Sequence, residues 1–301
     1  MSSSALELVL GPLLFNWPAE RVRSFYARMA DTPIRRVYLG EVVCGKREPL
    51  LAAALAESAE RLQQAGKEVV WSTLALPGTP RERRLMRELV SGAGLVELND
   101  LSGLMHLDSG APFVAGPLLN VYNEATAQEL ASRGCVRLCA NVELPLASIS
   151  AIARACPGLD IEVFAYGRLP LALSARCYHA RAHGLHKDNC QFVCDRDPDG
   201  LTVRTVEGAA FLAVNGIQTL SHGVQLVDAE AAELREAGVT ALRLSPHSGN
   251  MPAVVAAFHR FAEGGGSPHE LQAAVASAEP PGPLVSGYLH GAAGMRPITP
   301  A

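Results

Sequence analysis

The sequence predicts an α/β fold, a TIM-like (β/α) barrel with a Cys-rich insertion late in the barrel. Three observations predict it. Seven short β-like runs alternate with helix-like stretches before residue 165, and repeated βα units favour a parallel sheet with crossover helices. An eighth run with its own helix follows after residue 240. Between them, the segment from Ser174 to about Val214 breaks the rhythm with Cys, His and Asp. An open doubly wound sheet shows the same alternation, but the dinucleotide glycine fingerprint and the Walker loop that would support a nucleotide-binding open sheet are absent.

The first strand is Leu6 to Leu10, and its helix opens at Pro18, a residue favoured in a first turn, and runs to about Ala30. Val37 to Leu39 leads to a helix that begins near Pro49 and ends before Gly66. Glu68 to Ser72 is followed by the turn Pro77-Gly78-Thr79-Pro80 and a helix over Arg81 to Val90. Leu95 to Leu98, Phe113 to Ala115, Cys135 to Leu138 and Ile161 to Phe164 continue the series, with helices over Leu101 to Leu107, Glu124 to Arg133 and Leu146 to Ala155. Ala241 to Leu244 and Met251 to Glu263 supply the eighth unit. Gly264-Gly265-Gly266 then marks a boundary. Residues 1–264 are expected to form the barrel, including the insertion at about 174–214, and residues 265–301 a C-terminal extension.

Composition narrows the function classes. Of 301 residues, 49% are hydrophobic and 19% charged, which excludes wholesale disorder and coiled-coil or collagen-like designs. The net charge of −4 removes the global basic field that drives non-specific phosphate binding, so no stable nucleic-acid complex is expected. No apolar run approaches the length of a transmembrane helix, and the first residues carry Glu7 and no early Lys or Arg, unlike a secretory signal. Seven cysteines without such a signal suggest reduced thiols in the cytoplasm, where clustered Cys serve metals or catalysis.

Cys177, Cys190 and Cys194 fall within one short stretch, spaced C-x12-C-x3-C. On a helical turn, the last two would point to one face, and the longer loop can bring Cys177 round to meet them. A fourth ligand is sought elsewhere, and Cys44 is chosen because it follows the second strand and so sits at the same end of a parallel barrel. Four thiolates suit a 4Fe-4S cluster or a closed zinc site, in which His179, His183 or His186 can replace one Cys; spacing does not choose between them. A redox-active dithiol and inert buried thiols are the other readings. Cys135, Cys139 and Cys156 sit in strand or helix-end contexts that favour packing. Arg168, Arg176, Lys46 and Arg47 are candidate partners for an anionic cluster or substrate, with a surface role equally open to each. His222 and His247 lie near strand ends, where lone histidines are usually structural. No catalytic acid or base is assigned, and no nucleophile elbow, metalloprotease helix or paired-carboxylate motif is present.

The segments GPLLFNWP (Gly11 to Pro18), YLGEVVCGKRE (Tyr38 to Glu48), STLAL (Ser72 to Leu76), PFVAGPLLNVYN (Pro112 to Asn123), YGRLPLALSARCYHAR (Tyr166 to Arg181), KDNCQFVC (Lys187 to Cys194), NGIQT (Asn215 to Thr219) and RLSP (Arg243 to Pro246) carry a resemblance over almost the whole chain. With them the chain resembles the UbiV family of anaerobic ubiquinone-biosynthesis proteins, within the collagenase-like peptidase superfamily. The resemblance implies a 4Fe-4S cluster on Cys44, Cys177, Cys190 and Cys194. It also implies a heterodimer with the sister protein UbiU, a lipid-binding accessory protein UbiT, and a ubiquinone precursor hydroxylated without oxygen. Related members modify RNA bases, so an RNA base hydroxylase is the alternative within the superfamily, and a non-catalytic scaffold stapled by its cluster is another. GYLH (Gly287 to His290) departs from the family pattern, and no protease nucleophile or base can be named despite the superfamily's label.

Overall fold

A computed structural model describes residues 5–92 and 94–298. The elements run in the order β1 (Glu7–Leu10), α1 (Ala19–Ala30), β2 (Arg36–Leu39), α2 (Glu48–Gln64), β3 (Glu68–Ser72), α3 (Pro80–Gly92), β4 (Val96–Leu98), β5 (Phe113–Ala115), α4 (Glu124–Ser132), β6 (Cys135–Cys139), α5 (Leu146–Ala155) and β7 (Asp160–Leu173). The chain then leaves the ring through α6 (Tyr178–Ala182), β8 (Leu201–Arg204), β9 (Ala210–Asn215) and β10 (Gln218–Leu226). It returns through α7 (Ala231–Glu236), β11 (Val239–Leu244) and α8 (Met251–Ala262), and ends with α9 (Pro268–Ala276) and β12 (Leu284–Val285). The first residues of the sequence and the last of the C-terminal extension lie outside the described residues.

Strands β1 to β7 pair in sequence, all in parallel, and β11 closes the ring by pairing in parallel with both β7 and β1. Closure decides for the barrel over the open sheet. Along each strand alternate side chains point inward, as a pleat requires. Val9, Tyr38, Val70, Val114 and Ala241 form the inner apolar cluster. Their neighbours Leu8, Leu10, Val37, Leu39 and Leu242 face the helices in the larger outer core.

Local chemistry sets most helix ends. Pro49 lies in the first turn of α2, and Gly66 follows that helix with φ of 77°. Asn250 caps α8 by accepting from Ala253 N–H, and Ser267 with Glu270 forms a capping box on α9. The α-helix expected over Leu101 to Leu107 is instead a 3-10 helix, Leu101–His106, which Asp100 caps at Ser102. Gly103 disfavours a longer α-helix here, and it allows the turn to pack closely on Leu98. Strand β7 runs far past the expected Phe164. Its outer half leaves the barrel and pairs antiparallel with β10, which pairs with β9 and in turn β8. From the C-terminal region, β12 pairs with β10, and Leu271 and Val275 of α9 join the outer core. Among the described residues, no helix is long and apolar enough to cross a membrane.

Candidate functional site

Cys44 lies in the loop after β2, at the carboxyl end of the barrel strands. Glu41 fixes that loop by accepting the N–H groups of Val43 and Cys44, each at 2.8 Å. Gly40, with φ of 141°, makes the turn possible, since a side chain there would strike the Ser72 carbonyl. Cys177, Cys190 and Cys194 come from the excursion between β7 and β8, and all four cysteines line one small cavity with Lys46, Arg47 and His179.

Each sulfur is placed by a different device. Cys177 is the residue preceding α6, and its Sγ accepts from Ala180 N–H at 3.4 Å. Cys190 and Cys194 do not share a helical turn as expected. Cys190 follows one 3-10 turn, Lys187–Asn189, and Cys194 lies in the next, Val193–Arg196, and between the two cysteines Gln191 and Phe192 take φ of 48° and 54°. Two successive non-glycine residues in the left-handed region carry strain that surrounding contacts must offset. Asn16, from the loop after β1, donates to the Phe192 carbonyl at 3.5 Å and to Cys194 Sγ at 3.4 Å. The chain reversal therefore brings both sulfurs to the cavity without a shared helical turn.

Arg47 is the buried cation of this wall, 1% exposed. Its guanidinium donates to the Leu14 carbonyl at 3.0 Å and to Asn215 Oδ1 at 2.8 Å. Gly216, with φ of 63°, opens the two-residue turn between β9 and β10, and only the absence of a Cβ there lets the guanidinium approach. Burial opposes the charge on Arg47, but Glu41 and the sulfurs of Cys194 and Cys44 outweigh it and hold the group above its ordinary value. Burial pushes the Cys44 and Cys177 thiols up.

The other sequence candidates separate. Cys135 and Cys139 are buried in β6, and Cys156 is buried just after α5, all away from the cavity. Arg168 is buried too, but as a clamp: it donates to the carbonyls of Ser221, His222 and Pro281. Arg176 and His186 line an open groove beside Cys177 with Arg181 and Lys187. His222 contributes its carbonyl to that clamp. Of the departing GYLH segment, His290 meets Asp228 Oδ1 at 2.6 Å and ties the tail to the loop after β10.

His247 is buried, with Nδ1 accepting from Gly249 N–H at 2.9 Å and Nε2 2.7 Å from the Tyr166 hydroxyl. Burial, against the pull of Asp199, lowers its pKa from 6.5 to about 4. The unfolded chain then binds a proton that the folded one refuses, so stability is full above pH 6.5 and falls as pH drops towards 4. The stability advantage of wild type over His247→Asn is expected to shrink by about 2 kcal/mol between pH 7 and pH 5 in urea unfolding. A pH-independent difference would contradict this assignment.

Sequence reasoning missed the charged interior of the barrel. Arg243 on β11 pairs with Glu97 of β4 at 2.6 Å and with Glu162 of β7, all essentially without exposure. Tyr38 donates to Glu162 at 3.0 Å and lies under the Arg243 guanidinium, while Ser72 and Asn99 donate to Glu97. Arg137 of β6 joins Glu7 at 2.7 Å and Asp160 at 3.0 Å nearer the amino ends. The signal was available: single charges at inward positions of otherwise apolar strands, as in VEL, CVRLC and LRL. Arg243 and Asn99 also border the narrow mouth of the barrel, with Phe164 and Ser245.

Among solved structures, the spore coat polysaccharide biosynthesis protein SpsE of Bacillus subtilis is 11% identical, covering 99% of this chain and 76% of its own, at a TM-score of 0.46. The Rubisco-like protein of Rhodopseudomonas palustris is 11% identical over 91% and 65%, at 0.39. An O-GlcNAc hydrolase of Thermobaculum terrenum is 12% identical over 91% and 63%, at 0.37. Likenesses this remote carry no functional argument. The family comparison is of another order, because the profile of Peptidase family U32 matches residues 17–294. On that match across nearly the full length of the barrel and its excursion, the chain belongs to peptidase family U32.

Proposed function

We propose that Cys44, Cys177, Cys190 and Cys194 hold a 4Fe-4S cluster, and that the chain is the iron-sulfur subunit of an oxygen-independent hydroxylase of the ubiquinone ring. On this reading it acts in the cytoplasm in anaerobic ubiquinone biosynthesis, as a heterodimer with UbiU and with UbiT as lipid-binding accessory. The observation that carries the reading is the convergence of four thiols from two distant segments on one cavity, beside a buried guanidinium. The donor set fits the group. Four cysteine thiolates suit a 4Fe-4S cluster, with a closed four-cysteine zinc site as the competing occupant. Arg47 Nε is buried without a hydrogen-bond partner among the described residues and offers a donor to an anionic group.

A bound cluster supplies one-electron chemistry. The chain's own residues hold and tune it: the N–H bonds from Asn16 and Ala180 to two sulfurs, with the charge of Arg47, stabilise the reduced, more negative state. A cavity of about 310 Å³ between α2 and α3 gives an aromatic substrate a mainly apolar place beside the Cys44 loop, lined by Leu55, Trp71, Leu74, Met86 and Leu89 together with Glu41, Glu48, Glu82 and Glu88.

The groove of Arg176, Arg181, His186 and Lys187 beside Cys177 favours a second reading, RNA base hydroxylation, since such a lining suits phosphates. One experiment separates the two. The gene is deleted, cells are grown without oxygen, and quinones and RNA modifications are measured separately. Loss of anaerobic ubiquinone with normal RNA is expected. Normal ubiquinone with a missing RNA hydroxylation would reject the first reading, and rescue by a Cys44→Ala protein would leave only a scaffold.

A further inference from the structure

Beside the cysteine cavity a second set of donor atoms converges, and of its residues only His179 lines that cavity. His179 and His183 stand four residues apart, so both rings lie on one face of the short helix, with centroids 5.7 Å apart and planes within 17°. Asp197 reaches the same point from the turn before β8, its Oδ2 2.9 Å from His179 Nε2. One donor atom from each of the three lies within 4.8 Å of the others, and among the described residues this is the one such group of three or more His, Cys, Asp or Glu.

Three features set it apart from a chance surface cluster. His179 is fully buried, and its Nδ1 is 3.1 Å from the Val214 carbonyl. A carbonyl only accepts, so Nδ1 carries a proton there, and Nε2 is the ring nitrogen that faces Asp197. That outer contact is the one that orients metal-binding imidazoles. Second, His179 Nε2 and Asp197 Oδ2, 2.9 Å apart, are within about 0.5 Å of the separation of about 3.3–3.4 Å that two ligands at about 2.0–2.1 Å take around one tetrahedral ion. Third, His183 is exposed, which leaves its ring free to turn and gives an ion a route of entry.

We propose that His179, His183 and Asp197 form a mononuclear site for a divalent transition-metal ion of the zinc class, separate from the cysteine site. Two imidazoles and one carboxylate suit such an ion, whereas magnesium and calcium prefer oxygen donors throughout. The ion clips α6 to the turn ahead of β8. It thereby fastens both ends of the segment that carries Cys177, Cys190 and Cys194, and its remaining positions are filled by water. The site stands whether or not the cysteines hold iron.

The test uses the full-length protein. Wild type, His183→Ala and Asp197→Asn are prepared anaerobically with iron and sulfide, incubated with a small excess of zinc chloride, desalted and analysed for metals. Wild type is expected to keep about one zinc per chain more than either variant, with iron and sulfide equal in all three. Competition with a chromophoric chelator should show zinc held at least about tenfold more weakly by the variants. Because His183 is exposed, its removal leaves the fold intact, which an unchanged urea midpoint of the zinc-free proteins verifies. Equal zinc in all three proteins overturns the proposal, and is the result expected if only a proton bridges His179 and Asp197. Iron absent from every protein, with the extra zinc still dependent on His183, would reject the cluster and leave this site standing.

Discussion

Arg243→Ala is expected to lose at least about 3 kcal/mol of stability, seen as a fall in the urea midpoint. The side chain is 1% exposed at the centre of the barrel, and its guanidinium faces two carboxylates, Glu97 and Glu162, that have no exposure at all. Removing the cation leaves Glu97 buried without its cation and Glu162 with only the more distant Arg137, at 3.7 Å, and breaking such a buried pair costs about 3–5 kcal/mol. The hydrogen bonds that Tyr38, Ser72 and Asn99 donate to those carboxylates offset only part of the loss. Adding Glu162→Gln should recover part of the loss, since the double variant buries one charge fewer, and the two changes should be clearly non-additive. Arg243→Lys should fold but remain weakened, because an ammonium does not span both carboxylates as the planar fork does. An Arg243→Ala protein with wild-type stability would mean that the interior network is not what holds these strands in register.

Cys44→Ala is expected to lose most of the iron and sulfide while keeping its fold. The loop bearing Cys44 is held without its sulfur, by Glu41 on two backbone amides and by the Lys46 ammonium on the Lys187 carbonyl at 2.6 Å. The thiol is half-buried, so its loss should move the urea midpoint of the metal-free protein by no more than about 1 kcal/mol. Cluster assembly is another matter, since three thiolates from one segment leave the fourth corner of the cube without a ligand. Cys135→Ala is the matched control: its sulfur lies in β6, away from the cavity, and its removal should leave iron and sulfide unchanged. Iron retained by Cys44→Ala and lost by Cys135→Ala would reverse the assignment.

The eight strands were legible because each is a short, mostly apolar run set between helix-like stretches, and their ends fell within a residue or two of the observed ones, except for β7. The strand reading stops at Phe164, before Gly167 and Pro170, yet the stretch beyond stays extended by pairing with β10, a long-range partner that local pattern does not reveal. Helix α7, Ala231–Glu236, was passed over because six residues carry too little periodicity. The four cysteines could be grouped from spacing and strand position, but the device that joins Cys190 to Cys194 could not, since nothing in Gln191-Phe192 announces a left-handed pair. Glu97, Glu162 and Arg243 escaped notice for a related reason. One charge in a strand reads as a solvated face until the ring closes and shows that the face is the barrel's interior.

The central claim is that four thiols from two distant segments grip one iron-sulfur cluster. Quantifying iron, acid-labile sulfide and zinc in protein purified without oxygen tests it most directly. About four iron and four sulfide per chain are expected, lost together on replacing Cys44, Cys177, Cys190 or Cys194. Zinc bound by those cysteines in place of iron, with no sulfide, would contradict it.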